Sequence, residues 1–255
     1  MDDTFYKIPR TAVVGTANVA QTVAFIAEHE RSTNIDYVEL DDALKNFSAV
    51  VKNVYAFFLL TDLTDAATCK TAHLVADCVR NSRLLSIAIV QSASDEFADE
   101  LNYLEQNFGA VINLSEQQTN LPAEDFSCKI VHGIHSIYDD EFYPYLMPVD
   151  GADLVDLLTC GRKTFVGFGE ASGENPTVAA VNAAIDSPLI KNNLQNARSV
   201  FLNVVGSLDS LLMLEVNEAA NLIYDATNPD GEFYFVANRD DSLGEKIFVM
   251  VIVRV

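Results

Sequence analysis

The sequence predicts an α/β protein built on a parallel sheet, and three observations carry that prediction. Short apolar runs alternate with amphipathic stretches through the first half of the chain. The runs at residues 55–60 and 84–90 are apolar without alternation, as in strands buried on both faces. The stretches between them carry apolar residues at helical spacing, so successive runs read as parallel strands joined by right-handed helical crossovers.

The elements follow in order. Residues 11–15 form a β-rich run, and residues 19–30 read as a helix with Val19, Val23, Phe25 and Ile26 at helical spacing. Residues 35–40 are the next strand, and Asp41 or Asp42 is a fitting N-cap for the helix behind it. Then come strand 55–60, helix 66–80, strand 84–90, helix 95–107 and a short strand at 110–114. Residues 124–143 read as one long helix with Ile130, Ile134, Ile137 and Tyr138 on one face. Pro144 and Pro148 end it, because proline lacks the helical donor and its ring meets the preceding turn. A short helix at 152–158 precedes a second block, with strands at 164–168, 199–205, 233–237 and 246–253 and helices at 176–185 and 212–226. With no repeat, low-complexity stretch or flexible linker, the organisation reads as domain 1–120, a central helix and loop over 121–160, and an α+β domain over 161–255.

Composition narrows the function. The 255 residues are 49% hydrophobic, enough for a substantial core, and 16 Lys+Arg against 37 Asp+Glu leave a net charge of −21. The acid excess runs through both halves with no basic patch, which argues against nucleic acid and against direct membrane binding. Met1 is followed by Asp2 and Asp3 rather than by a basic and then apolar leader, so no signal peptide is expected. The longest apolar runs fall well short of the ~20 residues a membrane helix needs. Cys69, Cys78, Cys128 and Cys160 lie far apart without a C-x-x-C pair, the pattern of reduced thiols in a cytoplasmic protein.

The second block carries a family resemblance. Gly167-Phe168-Gly169-Glu170-Ala171-Ser172-Gly173-Glu174 resembles the G-x-G-E-A-S-G-E segment of FtsZ, the bacterial tubulin homologue. The similarity continues through Ala183-Ala184-Ile185-Asp186-Ser187-Pro188-Leu189, Val204-Val205-Gly206 and Glu215-Val216-Asn217-Glu218-Ala219-Ala220-Asn221-Leu222-Ile223. Asn228-Pro229-Asp230, Asp241-Ser242-Leu243-Gly244 and the final strand also fit, in the same order, over about 90 residues of the chain. The resemblance implies a tubulin/FtsZ-like fold, with a Rossmann-like N-terminal lobe of nucleotide-binding type, a long central helix and a C-terminal α+β lobe.

It also implies GTP at loops closing the strands of the first lobe, where backbone N–H groups and helix N-termini hold phosphates. The loop after the first strand reads Gly15-Thr16-Ala17-Asn18-Val19-Ala20-Gln21; of the family's glycine run only Gly15 remains. The family's G-G-G-T-G-T-G signature belongs after Leu60, where residues 61–71 hold no glycine and Asp62 and Asp65 add negative charge. Only 13 residues separate Leu40 from Val54, where the family carries a helix and a nucleotide-sensing loop. No bound cofactor is therefore expected, with GTP retained only as an alternative.

Other positions keep the family's pattern. Asp125 matches the aspartate that reads the guanine base, although an acidic residue in a first helical turn also suits the helix dipole. Pro148-Val149-Asp150-Gly151-Ala152-Asp153-Leu154 resembles the synergy loop, N-V-D-x-A-D, which FtsZ inserts into the nucleotide pocket of the next subunit. Asp150 and Asp153 match its acidic positions and, with Gly151, are the candidate interaction residues; helix capping explains the two aspartates as well. His132 and His135 have metal-ligand spacing but no third ligand nearby in sequence, and a helix-face pair explains them without a metal. Cys69 beside Lys70 is a candidate reactive thiol without a local histidine, and Asp139-Asp140-Glu141 reads as a solvated helix end. Glu170, Glu174 and Asn217 are explained by capping and packing.

The expectation is a cytoplasmic FtsZ-like protein without GTPase activity, capping or modulating filaments by contact with FtsZ-type subunits or by self-association. A guanine-nucleotide switch or slow GTPase relying on Asp125 is one alternative, and a nucleotide-independent scaffold is another. The family's C-terminal tail finds no counterpart after Val255, so recruitment by tail-binding membrane tethers is not expected.

Overall fold

A computed structural model of the chain describes residues 10–52, 54–80, 82, 84–117, 121–139, 143–148, 155, 158 and 162–255. The chain divides into two compact units: Met1–Ser115 with Leu121–Phe142 and Leu158–Gly161, and Glu116–Asn120 with Tyr143–Leu157 and Arg162–Val255.

The first unit holds β1 (Arg10–Gly15), α1 (Ala20–His29), β2 (Ile35–Val38), α2 (Leu40–Lys45), α3 (Phe47–Val50), β3 (Val54–Leu63), α4 (Ala66–Val79), β4 (Leu85–Ala93), α5 (Ala98–Asn107), β5 (Ala110–Asn113) and α6 (Ala123–His135). Its strands lie in the order β2-β1-β3-β4-β5, every pairing parallel. Phe57, Phe58, Leu59 and Leu60 are all buried because helices cover both faces of β3, which is why the run does not alternate. Ala12, Val14, Phe57 and Leu59 face Ala72, Val75 and Ala76 of α4 and Leu104 of α5. On the other side α1 packs against α6, and His135 at the end of α6 meets Thr11 near the start of β1.

The second unit holds β6 (Tyr145–Met147), β7 (Arg162–Ala171), α7 (Pro176–Ile185), α8 (Pro188–Asn193), β8 (Ser199–Gly206), α9 (Met213–Ala226), β9 (Glu232–Arg239) and β10 (Ile247–Arg254). The order is β7-β10-β8-β9-β6; β8 and β9 are parallel and joined through α9, and the other pairings are antiparallel. Ala180 and Ala184 of α7, Val216 and Ile223 of α9, and Val249 and Val251 of β10 form its core. The Gly-x-Gly of β7 is what lets α7 come so close: a Cβ on Gly167 would lie 2.2 Å from the Ala184 carbonyl oxygen, and one on Gly169 only 1.8 Å from that of Ala180.

Several expectations change. The helix expected over 124–143 ends at His135. Beyond it Ile137 and Tyr138 donate back only three residues, tightening the chain out of the helix, while the Ser136 hydroxyl donates to the Gly133 carbonyl. α2 begins at Leu40, ahead of the Asp41 and Asp42 positions expected to precede it. β3 runs three residues past Leu60, held by β4 in a register that pairs Thr61 with Val90 and Leu63 with Ala93. Polar Thr61 and Asp62 hid that extension in the sequence. The segment between Leu40 and Val54 holds two short helices, and β6 and α8 were not foreseen. The short helix expected at 152–158 falls mostly outside the described residues. No described helix is long and apolar enough to cross a membrane.

Candidate functional site

The loops expected to meet a nucleotide lie at the C-terminal ends of β1 and β3. Gly15 ends β1 where α1 comes close, since a Cβ there would stand 2.5 Å from Val23 Cγ2. After it, residues Ala17–Val19 form a 3-10 turn that buries Val19. Thr16 is buried and stitches the two strand ends together: its amide donates to the Leu60 carbonyl at 3.0 Å, and its hydroxyl reaches Thr61 Oγ1 at 3.3 Å and Asn18 Oδ1 at 2.8 Å. The extension of β3 leaves Asp62 in a strand, with its Oδ1 buried and without a hydrogen-bond partner among the described residues.

Asp65 caps α4. Its Oδ1 accepts from the amides of Ala67 and Thr68 at 2.8 and 2.9 Å, and the Thr68 hydroxyl donates to Oδ2. These bonds, led by the Thr68 hydroxyl, hold the Asp65 carboxyl below the usual carboxylate range. Two of the N–H groups that this helix N-terminus would offer to an anion, those of Ala67 and Thr68, are thus taken by the chain's own carboxylate.

Asp125 sits half-buried in the first turn of α6. Because His135 at the far end of α6 touches Thr11 near the start of β1, the first turn lies toward the C-terminal end of β1. Gly15 and Asp125 therefore belong to the same end of the sheet, and Asp65 closes that end on the α4 face. Asp150, Gly151 and Asp153 lie outside the described residues.

The two histidines form a different arrangement from a metal pair. Buried His135 has Nδ1 2.7 Å from Thr11 Oγ1, and Nε2 2.8 Å from both Ser32 Oγ and Asp139 Oδ2. Ser32 donates to Asp139 Oδ2 at 2.6 Å and Asn34 to Oδ1 at 3.0 Å. Burial pushes the Asp139 carboxyl up, but the bonds from His135, Ser32 and Asn34 outweigh it and hold it low. His132 Nδ1 lies 3.1 Å from Glu30 Oε2, and Glu30 Oε1 accepts from the amides of Arg31 and Ser32. Asp139, expected on a solvated helix end, is instead buried in this network. Among the described residues no cluster of three or more His, Cys, Asp or Glu could hold a metal ion. Sequence spacing gave no signal for Thr11, Glu30, Ser32 and Asn34, whose partners lie about a hundred residues away. Burial, with Glu100, Asp65 and Asp62 nearby, pushes the Cys69 thiol up to about 11, the opposite of an activated nucleophile.

Comparison with known proteins agrees with this architecture. The FtsZ family, C-terminal domain, matches residues 162–254. The cell division protein FtsZ of Caulobacter vibrioides, strains NA1000 / CB15N and ATCC 19089 / CIP 103742 / CB 15, is 32% identical over 202 residues, 71% of this chain. That match spans only 39% of the length of each relative. A structure of the M. jannaschii FtsZ W319Y mutant superposes with a TM-score of 0.80 at 17% identity, covering 97% of this chain and 91% of that one. The GDP-form protofilament structure of Bacillus thuringiensis serovar israelensis TubZ gives 0.65 at 13% identity, covering 96% and 86%. The sequence match in the second unit and the fold match over nearly the whole chain agree: residues 162–254 belong to the FtsZ family's C-terminal domain, and the chain as a whole has an FtsZ/tubulin-like fold.

Proposed function

We propose that this chain acts by protein–protein contact in a cytoplasmic, FtsZ-type cytoskeletal or cell-division setting, capping or modulating filaments without hydrolysing GTP. The observation that carries the proposal is the Asp65 carboxylate seated on the Ala67 and Thr68 amides of α4. The residues at the two loops do not fit a triphosphate. An anion arriving at α4 would have to displace a carboxylate bonded in place, beside the buried Asp62 oxygen, and no glycine in residues 61–71 lets the backbone fold around it. At β1, Val19 and Val23 crowd the single remaining glycine.

A family member completes its site between two subunits, with nucleotide on one face and the acidic loop on the other. This chain has altered the nucleotide face and kept the two acidic residues of the loop, with Pro148 in place of its asparagine. It docks Asp150 and Asp153 on an intact FtsZ-type subunit and offers no working nucleotide face to the next. Sedimentation of an intact FtsZ with GTP tests this. Substoichiometric addition of the chain is expected to lower the pelleted filament mass, and an Asp150→Ala, Asp153→Ala double variant to lose most of that effect. An undiminished effect of the double variant contradicts docking through this loop.

A further inference from the structure

We propose that a cleft in the second unit docks a basic segment of a partner protein that carries an apolar face. The cleft opens at the C-terminal ends of β7, β8 and β9, between the loops that follow them, and encloses about 870 Å³. That volume suits several side chains of a bound segment rather than a single ion.

The cleft is built in advance. The Ser207 hydroxyl donates to the Gly244 carbonyl at 2.7 Å, the Asp240 amide to the Gly206 carbonyl at 2.9 Å, and the Leu208 amide to Asp241 Oδ1 at 3.2 Å. The loop after β8 is thus tied to the loop after β9, and ordering costs little on binding. Three leucines on the β8–α9 segment remain at the surface: Leu208 and Leu212, both lining the cleft, are 54% exposed, and Leu214 is 80% exposed. Such grouped exposure in one short segment marks an interaction surface.

Charge selects the occupant. Asp209, Glu215, Asp241 and Glu245 line the cleft, and Arg239, the one cation among the described residues lining it, is clamped on Asp241 through Nε at 2.8 Å and a second guanidinium nitrogen. The local field is negative, in a chain of net charge −21, so a second copy brings like charge. A segment with lysine or arginine along one side and leucine-sized groups along the other meets both features, as an amphipathic helix does in a groove. This inference is independent of how the first unit treats nucleotide.

The test uses a labelled 18-residue amphipathic Lys/Leu peptide and a companion of equal charge with serine in place of leucine, both followed by fluorescence anisotropy. The Leu peptide is expected to bind at least about tenfold more tightly than the Ser peptide. A Leu208→Ser, Leu212→Ser variant and, separately, an Asp209→Asn, Glu245→Gln variant should each weaken it by about tenfold. No binding, or equal binding of both peptides to every variant, overturns the proposal. It is also overturned if the unmodified chain dimerises in sedimentation velocity and the leucine variant is monomeric, since a second copy then covers the face.

Discussion

A Gly169→Ala variant is expected to destabilise the second unit by about 3 kcal/mol, the cost of forcing atoms into a closed contact. The added Cβ would stand 1.8 Å from the Ala180 carbonyl oxygen and 2.8 Å from its carbon, both backbone atoms of α7 that cannot rotate away. β7 and α7 must separate, and Ala180 and Ala184 lose their packing on the strand. Gly173, in the same motif, separates sterics from conformation. Its φ is +96° but a Cβ there meets nothing within 4 Å, so Gly173→Ala should cost only about 1 kcal/mol, from the backbone alone. Urea unfolding followed by far-UV circular dichroism reads both; equal losses would mean that close approach is not the reason for Gly169.

Asp139→Ala is expected to cost about 3–5 kcal/mol, because it removes one member of a buried, hydrogen-bonded set and leaves the others without it. His135 Nε2, Ser32 Oγ and Asn34 Nδ2 all converge on this carboxylate, and His135, Ser136 and Asp139 are fully buried. The pH dependence follows from the sign of the shift. A carboxyl held below its ordinary value stabilises the fold fully above the unfolded-state value, and that contribution is lost as pH falls through the lower folded value. Stability should therefore drop at the acid end of the carboxylate range, and Asp139→Asn should flatten that limb while keeping the side-chain shape. An unchanged acid limb in Asp139→Asn would show that other carboxylates set it.

The parallel sheet of the first unit was legible because burial on both faces removes alternation from β3 and β4, and that pattern stands in the sequence without knowledge of partners. The end of β3 was not legible. Thr61 and Asp62 look like loop residues, and only the pairing of Thr61 with Val90 and Leu63 with Ala93 makes them a strand. The end of α6 was hidden for a similar reason, since Ile137 and Tyr138 continue the apolar stripe while the backbone has already tightened. At the site, the absence of glycine from residues 61–71 was plain, and so was the charge of Asp65. Its capping of α4 was not foreseen, although an aspartate just before a helix start carries that meaning. The His135 network could not be read at all, because Thr11 is drawn to it from a strand more than a hundred residues away.

In the proposed function, Asp65 and the glycine-poor loops around it leave no grip for a triphosphate. Calorimetric titration of the purified chain with GTP and with GDP, in the presence of Mg²⁺, tests it most directly. No saturable heat is expected with either nucleotide up to millimolar concentration. Binding in the micromolar range would contradict it, make Asp125 the first residue to replace, and return GTP hydrolysis to this chain as a question for single-turnover assay.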